Sequence, residues 1–211
     1  MGRPVKRRYD ASGRRAAADA TRERICAAAE RLFLRDGYAR TSIRAVAREA
    51  GVAEATVYLT FSTKSALLNA TIFRATGAEE GKPLSAILAA PPPDMLSRLA
   101  DAHAAAMSRA ARLIALGESA ALMDADLRPL RDHAHANLRA AYAAIAQRLA
   151  DAQLLEPDVT AEDAADTLYA ICNETTYLRL TRDGARSPKR YAAWLTATLE
   201  ARLLRGTQRA E

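Results

Sequence analysis

Histidine and cysteine are two of the residue types in this sequence whose chemistry could serve catalysis or metal binding. Three histidines, His103, His133 and His135, occur with two cysteines, Cys26 and Cys172. His133 and His135 are two positions apart on a predicted helix and so point in different directions, with no third ligand at helical spacing. These spacings argue against a metal site, and we expect the chain to hold no metal or other cofactor.

His103 and Cys172 are better explained by burial than by reactivity. His103 adjoins the apolar stripe of a predicted helix and is expected to be a core or pocket histidine. Cys172 lies in an apolar segment and is expected to pack as a small hydrophobic side chain, with redox sensing as the alternative. The two cysteines lie in segments assigned to different domains, so no disulfide is expected. Because the sequence also has no nucleophile–base pair and no glycine-rich phosphate loop, we expect no enzyme activity.

The positive charge of the chain is confined to its N-terminal third. The formal net charge is +6. Residues 1–64 hold 14 lysine and arginine residues and seven acidic residues. Residues 65–211 hold 17 lysine and arginine residues and 18 acidic residues. Such a concentration is typical of a module that binds a polyanion, although a basic solubilising tail has the same signature.

Helical periodicity extends over nearly the whole chain and predicts an all-α protein. Half of the residues are hydrophobic, only 5% are aromatic, and alanine, which favours close-packed helices, is abundant. No alternating run of strand length occurs. About nine helices are expected, and the periodic segments cover residues 21–36, 41–50, 54–60, 62–75, 94–118, 131–152, 161–182 and the chain from 187 onward.

Breaks in this periodicity divide the chain into three parts. Residues 1–20 are rich in arginine without an apolar period and are predicted to be a mobile arm. Residues 21–65 are predicted to be a helix-turn-helix domain, and residues 66–211 a helical domain for effector binding and dimerisation. Within the latter, residues 77–93 hold two glycines and four prolines and are predicted to be a loop or linker. No signal peptide or membrane-spanning run is recognised, so the protein is expected to be soluble, cytoplasmic and free of membranes.

Residues 41–64, TSIRAVAREAGVAEATVYLTFSTK, have the pattern of two short helices joined by a tight, glycine-centred turn. The second helix, over residues 54–60, is too short to be stable alone. It must be held by packing of Val52, Val57 and Phe61 against the preceding helices. Such a scaffold presents the outer face of a short helix rigidly, and that face fits the major groove of DNA.

From about Thr21 to Leu68 the sequence resembles the tetracycline-repressor (TetR) family of regulators, and the spacing agrees without gaps. The matching positions are Ile25, Ala28, Ala29, Leu32, Phe33, Gly37, Thr41, Ser42, Val46, Ala47, Ala50, Gly51, Val52, Thr56, Val57, Tyr58, Phe61 and Lys64. The later chain resembles the family only in length and helical character. The resemblance implies a DNA-binding transcriptional regulator that reads an inverted repeat as a homodimer.

The resemblance also implies the DNA contacts, position by position. Thr41 or Ser42, at a helix N-terminus, is implied to contact phosphate, and Tyr58 and Lys64 to bind phosphates on either side of the groove. The residues implied to form the recognition surface are Glu54, Ala55, Thr56, Leu59 and Thr60. In the arm, Arg14 and Arg15 are implied to follow the backbone or enter the minor groove. The alternatives are that Tyr58 simply packs against its neighbours and that the side chains of Lys64, Arg14 and Arg15 are simply solvated.

Two residues depart from the pattern of the family at the start of the short helix. Ala53 stands where the family commonly has a capping serine, which removes a hydrogen bond worth about 1 kcal/mol. Glu54 partly compensates through the helix dipole. Its carboxylate can accept from a cytosine amino group or repel other sequences, so the two departures leave the base preference open.

Dimerisation is expected through the last two helices of each chain, which the resemblance implies form a four-helix interface. The predicted helix over residues 161–182 is apolar on all sides, and this independently requires a covering partner. The residues expected at the interface are Leu180, Trp194, Leu195, Thr198 and Leu199.

An effector site is predicted between the segments 94–118, 131–152 and 161–182, whose alanine-rich stripes leave room for a ligand. Polar or aromatic groups recur near their inward faces, namely His103, Met107, Tyr142, Tyr169, Asn173 and Tyr177. Because the stripes contain no cluster of like charge, a small, mainly apolar or aromatic organic effector is expected. The alternative is that alanine allows tight packing and the tyrosines lie at the dimer interface.

Three functions follow, in order of preference. The first is a repressor that binds an inverted repeat in double-stranded DNA as a homodimer and is released when its effector changes the separation of the two DNA-reading heads. The second is an architectural DNA-binding protein without an effector. The third is an enzyme with an appended DNA-binding head, for which the sequence offers no catalytic constellation.

Overall fold

The protein is all-α, as predicted, in the part of the chain that the computed structural model describes, residues 11–77 and 82–205. An isolated bridge between Leu155 and Leu204 is the one β-type pairing there. Ten α-helices occur in these ranges: α1 (Ala11–Asp36), α2 (Ile43–Ala50), α3 (Glu54–Thr60), α4 (Lys64–Thr76), α5 (Lys82–Leu88), α6 (Met95–Ala121), α7 (Arg128–Asp151), α8 (Ala161–Ile171), α9 (Glu174–Leu178) and α10 (Pro188–Leu203).

The chain divides into two compact units, Met1–Thr71 and Ile72–Glu211. The division falls inside α4, whereas the domain boundary predicted from the sequence lies between residues 65 and 66. In the N-terminal unit, α1 packs against α2 and α2 against α3. The apolar face predicted for α1 is buried, with Ile25, Ala29 and Phe33 each 0% exposed.

The first helix begins ten residues before the predicted start. Residues 11–20, predicted as part of a mobile arm, are helical in α1, and residues 1–10 lie outside the described residues. The segment ASGRRAAADA has no apolar period, but alanine and arginine are among the strongest helix formers. Intrinsic propensity therefore extends the helix beyond the part of it that packs.

The C-terminal unit is built on two long helices. The helix α6 packs along α10 and α9, and α7 packs along α8. Their shared core is aliphatic with buried tyrosines, including Tyr142 and Tyr191 at 3% and 0% exposure.

Part of the predicted loop over residues 77–93 is a helix. The segment Lys82–Leu88 forms α5, which contacts α6 and α7 and buries Ile87. Glycine and proline at both ends of the segment suggested a continuous linker, but the residues between them carry enough apolar surface to pack on the core. The three prolines at 91–93 do belong to a non-α segment, a short 3-10 turn over Pro92–Asp94.

The single helix predicted over residues 161–182 is interrupted. The helix α8 ends at Ile171, α9 begins at Glu174, and a π-type turn follows over Arg179–Asp183. Asn173 causes the break because its backbone is extended and its side-chain oxygen accepts from the Thr176 amide at 2.8 Å, which caps α9. Residues 161–182 therefore do not form one continuous, all-apolar helix that would require a covering partner.

Candidate nucleic-acid interface

The helix α2 is fixed at both ends by local hydrogen bonds. The Ser42 hydroxyl oxygen accepts from the Ala45 amide at 3.1 Å and caps the N-terminus. At the other end Gly51 has φ +66°, a left-handed conformation that glycine adopts without strain, and the next amide, of Val52, donates to the Ala47 carbonyl at 3.0 Å. These caps set the tight turn that leads into α3.

The short helix α3 is held by its inner face. Val57 is 0% exposed and Phe61, directly after the helix, is 4% exposed. The guanidinium of Arg22 lies 4.6 Å from the centre of the Phe61 ring and covers it from α1. Ala53 precedes the helix in the extended conformation of a cap but offers no side-chain hydrogen bond.

The outer face of α3 presents the residues predicted for recognition. Tyr58 is 50% exposed and Leu59 is 88% exposed. Glu54 and Ala55 are exposed as well. The predicted positions Thr56 and Thr60 are half-buried, and the Thr60 hydroxyl donates to the Thr56 carbonyl at 2.8 Å. The alternative that Tyr58 packs in the core does not fit this exposure.

Thr41 and Ser42 differ in exposure, because one side chain is buried and the other faces solvent. Thr41 is 3% exposed and its hydroxyl donates to the Gly37 carbonyl at 2.8 Å. Ser42 is exposed at the start of α2. Of the two hydroxyl groups predicted as phosphate ligands, only that of Ser42 is open to solvent.

Lys64 is held at the start of α4 by Tyr38. Its ammonium nitrogen donates to the Tyr38 carbonyl at 3.1 Å and lies 4.2 Å from the centre of the Tyr38 ring. This contact fixes the direction of the side chain, so the lysine is not simply solvated. An ammonium group has three N–H bonds, and others remain for a phosphate.

Two exposed arginines on α2 are absent from the contacts predicted from the sequence. Arg44 and Arg48 are exposed one turn apart, and no ion pair to either is found among the described residues. The neighbouring Glu49 instead pairs with Arg31 of α1 at 3.0 Å. The signal was present in the sequence, because burial of Ile43 and Ala47 turns positions 44 and 48 outward. The predicted arm residues Arg14 and Arg15 are exposed on the first turns of α1.

The predicted effector residues separate into two groups. His103, Tyr142 and Tyr177 are buried in the core of the C-terminal unit, and Met107 packs at its edge. The other two, Tyr169 and Asn173, make contacts elsewhere: the Tyr169 hydroxyl hydrogen-bonds with Nδ1 of His135, and Asn173 caps α9.

Outside this core, two open grooves adjoin α7. One, of about 280 Å³, lies between α7 and α8 and includes Tyr169, with Arg139 stacked 3.9 Å above its ring. The other, of about 470 Å³, includes Glu118 and His135, whose Nε2 lies 2.9 Å from the carboxylate. Neither groove is lined by the buried effector candidates.

Of the residues predicted for the dimer interface, only some lie at the surface of a single chain. Leu195 and Leu199 are 0% exposed within a single chain, so they belong to the core of the C-terminal unit. Helical periodicity marked an apolar stripe on α10 but could not show that α6 already covers it. Trp194, Thr198 and Leu180 are half-buried.

Among the described residues, no group of three or more His, Cys, Asp or Glu side chains is arranged to hold a metal ion. No helix in the same ranges combines the length and apolar character needed to cross a bilayer.

Comparison with known proteins agrees with this geometry. Residues 25–71 match the family model described as bacterial regulatory proteins, tetR family. No curated protein sequence matches the chain. Both units, in contrast, have counterparts of the same fold among solved structures.

Three solved structures illustrate the similarity. A putative transcriptional regulator from Saccharomonospora viridis in complex with choline is 19% identical with a TM-score of 0.71, and the match covers 89% of this chain and 99% of that one. NalD, the secondary repressor of the MexAB-OprM multidrug efflux pump in Pseudomonas aeruginosa, is 24% identical with a TM-score of 0.69 and coverages of 90% and 99%. SmeT of Stenotrophomonas maltophilia, in a complex with triclosan, is 19% identical with a TM-score of 0.73 and coverages of 89% and 93%.

The fold and the exposed face of α3 define a helix-turn-helix DNA-binding regulator. The matched N-terminal sequence adds the kind of domain: residues 25–71 have the DNA-binding segment described for bacterial regulatory proteins of the tetR family.

Proposed function

We propose that this regulator is a repressor that binds an inverted repeat as a homodimer and leaves the DNA when a small organic effector binds its C-terminal unit. The observation that carries the DNA-binding part is the outer face of α3, where Tyr58 and Leu59 are exposed on a helix anchored by Val57. A short rigid helix with an exposed outer face suits the major groove.

Phosphate binding is assigned to the polar and cationic groups around α3. Ser42 lies at the N-terminus of α2, Lys64 at that of α4, and Arg44 and Arg48 on the outer side of α2. Charge on both sides of a reading helix fixes its register on the duplex, while the residues on α3 read the bases. Arg14 and Arg15 retain their proposed role along the backbone or in the minor groove.

Dimerisation is proposed through the outward side of α10 rather than through its buried stripe. Ala193, Ala197 and Ala201 are exposed at intervals of four residues, next to the half-buried Trp194 and Thr198. Small side chains allow two helices to approach closely, and the half-buried Trp194 supplies apolar area. Two copies would bring two copies of α3 to the two half-sites of an inverted repeat.

Release by an effector is proposed because two similar structures hold small molecules, choline in one and triclosan in the other. A ligand weakens DNA binding only to the extent that it binds the DNA-incompetent conformation more tightly. We propose that this regulation takes place in the cytoplasm.

Selection of DNA sequences by the purified chain from a random duplex library tests the proposal. The expected result is enrichment of an inverted repeat whose half-sites are centred about one helical turn apart, or a multiple of it. A variant with Leu59→Glu, which places a carboxylate on the reading face, should enrich no such repeat, whereas Leu122→Glu, at an exposed position of the C-terminal unit, should. Enrichment of a single half-site alone would contradict the homodimer, and absence of any enrichment would contradict a sequence-specific regulator.

The close packing around Tyr142 and Tyr177 favours a second candidate, an architectural DNA-binding protein without an effector. Both side chains are buried where the sequence predicted a ligand. Binding to random DNA as tightly as to any selected sequence would favour this candidate.

A further inference from the structure

His103 lies in the core of the C-terminal unit with one ring nitrogen paired and the other unpaired. It projects from α6 and is 8% exposed. Its Nδ1 lies 3.2 Å from the hydroxyl oxygen of Tyr191 on α10. Its Nε2 is buried and has no hydrogen-bond partner. A buried polar atom without a partner is costly, and such atoms are rare in folded proteins.

The Tyr191 hydroxyl decides which nitrogen carries the proton. No other hydrogen bond of this hydroxyl is found among the described residues. If it donates to Nδ1, its proton is satisfied and the ring carries its own proton on Nε2. In the reverse arrangement, both the hydroxyl proton and the Nε2 lone pair lack a partner. The first arrangement leaves fewer groups unpaired, so Nε2–H is a buried donor without an acceptor.

The imidazole is neutral near neutral pH. Burial lowers the pKa of His103 to about 4, and the backbone carbonyl of Cys172 beside the ring partly opposes this shift. Among the described residues no lysine or arginine side chain is buried in this core, so a ligand carboxylate would lose its hydration there without meeting a counter-charge.

The surroundings of His103 are apolar, with a few oriented hydroxyl groups. The Tyr142 hydroxyl already donates to the Cys172 carbonyl at 3.2 Å, and the Tyr177 ring meets the Tyr191 ring edge-on at 4.9 Å. Met107, one turn along α6, is half-buried and packs against the same core. Methionine is flexible and unbranched, so it can move aside for an entering ligand at small cost.

We propose that the effector is a neutral, mainly apolar organic molecule with a carbonyl oxygen, and that Nε2–H of His103 donates a hydrogen bond to this oxygen. The inference rests on the ligand response proposed above. It extends that response by naming the donor atom and by excluding anionic and purely hydrocarbon effectors. A carbonyl is the fitting group because it accepts without donating and leaves no proton of its own unpaired.

Nuclear magnetic resonance of the full chain with ¹⁵N-labelled histidine tests the proposal. Before any ligand is added, His103 should show the neutral Nε2–H tautomer from pH 5.5 to 8. The probes are then 4-phenylbutan-2-one and two analogues of matched shape, 3-phenylpropanoate and isopentylbenzene. The ketone should shift the Nε2 resonance of His103 and bind at least about fivefold more tightly than either analogue, because only the ketone supplies a neutral acceptor. A neutral Nδ1–H tautomer, equal binding of all three probes, or no binding of the ketone would overturn the inference.

Matched variants check that the shift arises at His103. His103→Leu should weaken ketone binding roughly fivefold to tenfold and abolish the preference over isopentylbenzene, and His103→Gln, which retains an N–H donor, should restore part of it. His133→Leu, at an exposed position on α7, should leave binding unchanged. If His103→Leu binds the ketone as the unchanged chain does, the inference is wrong. If that variant does not fold, the tautomer and probe spectra of the unchanged chain decide.

Operator binding, measured on the same samples, separates this inference from the proposed function. If the ketone binds at His103 without weakening DNA binding, the assignment of the site stands and release by this ligand class fails. If another ligand releases the DNA while the ketone leaves His103 unchanged, the effector response stands and the present inference fails.

Discussion

At the scale of single residues, Lys64 shows how packing turns a predicted cation into a positioned one. The sequence predicted a phosphate contact, with simple solvation as the alternative. The contact with Tyr38 holds the ammonium group in place at the start of α4. A positioned charge loses less side-chain entropy when it binds DNA than a free one does.

Lys64→Gln should weaken binding to all DNA sequences and lower the slope of log K against log salt by about 1, because one counterion fewer is released. Glutamine keeps a donor for the Tyr38 carbonyl, so the fold around it should persist. Fluorescence anisotropy at several salt concentrations measures the slope. Lys189→Gln, at an exposed position on α10, is the control and should leave it unchanged. A change in base preference with an unchanged slope would show that Lys64 reads bases instead.

Substitutions at Thr41 and Ser42 should differ in their effect on DNA affinity. Thr41→Val removes a buried hydroxyl that donates to Gly37 and should lower the free energy of unfolding by about 1 kcal/mol, with little effect on DNA affinity once folded. Ser42→Ala removes both the cap of α2 and the proposed phosphate ligand, so it should lower stability by about 1 kcal/mol and DNA affinity as well. Urea denaturation and anisotropy measure the two effects. Equal loss of DNA affinity in both variants would refute the assignment to Ser42.

His103 should make stability depend on pH. Its pKa is about 4 in the folded chain and about 6.5 when unfolded. Between these values the unfolded chain binds a proton that the folded chain does not, so the free energy of unfolding falls as the pH falls. From pH 7 to pH 5 the loss should be about 2 kcal/mol. Urea denaturation should show this difference in the unchanged chain and in His133→Leu, and its absence in His103→Leu. An unaltered pH dependence in His103→Leu would show that other groups cause it.

At the scale of elements, the sequence predicted those ends that local chemistry determines. The turn at Gly51 occurs as expected, and the predicted starts near residues 161 and 187 are also found. The capping box of Thr160 and Asp163 fixes the first of these starts, and Pro188 at the first position of α10 fixes the second. The helix bounds that were predicted wrongly lie where two local effects on helix formation compete. Alanine-rich propensity extended α1 without an apolar face, and the cap at Asn173 outweighed an uninterrupted apolar pattern.

Ala53→Ser tests the missing cap of α3. Ala53 has φ −69° and ψ 148°, the backbone of a capping residue, but no side-chain oxygen. The substitution should raise the free energy of unfolding by about 1 kcal/mol. Chemical denaturation measures this, and Ala55→Ser, within the same helix, should be neutral or slightly destabilising. No gain from Ala53→Ser would mean that Glu54 already satisfies the start of the helix through its charge.

At the scale of the whole molecule, the sequence could predict a DNA-binding unit followed by a separate helical unit. It was less able to predict which residues of the helical unit face a partner or a ligand. Helical periodicity identifies an apolar stripe but cannot tell a core-facing stripe from one that faces a partner. Leu195 and Leu199 therefore looked like interface residues, although one chain buries both completely. The predicted effector residues likewise fall into a buried group and a group outside the core. Periodicity could not show this, because whether Tyr169 turns inward depends on how α7 and α8 pack.

Two glutamate substitutions distinguish the outward side of α10 from its core. Ala197→Glu, at an exposed position, should convert the dimer into a folded monomer, because two unpaired carboxylates would face each other. Leu199→Glu should instead unfold the C-terminal unit, since the residue is 0% exposed. Sedimentation with circular dichroism separates the two outcomes, and Ala105→Glu, exposed on α6, should remain dimeric. A dimeric Ala197→Glu would place the interface elsewhere.

In the proposed repressor, two copies of α3 read two half-sites at once. A titration of the purified chain onto the selected inverted repeat, followed by anisotropy at fixed salt, tests it most directly when compared with a scrambled duplex of equal length. Two chains per duplex and an affinity at least about a thousandfold above that for scrambled DNA are predicted. Equal affinity for the two duplexes, or saturation at one chain per inverted repeat, would contradict the claim.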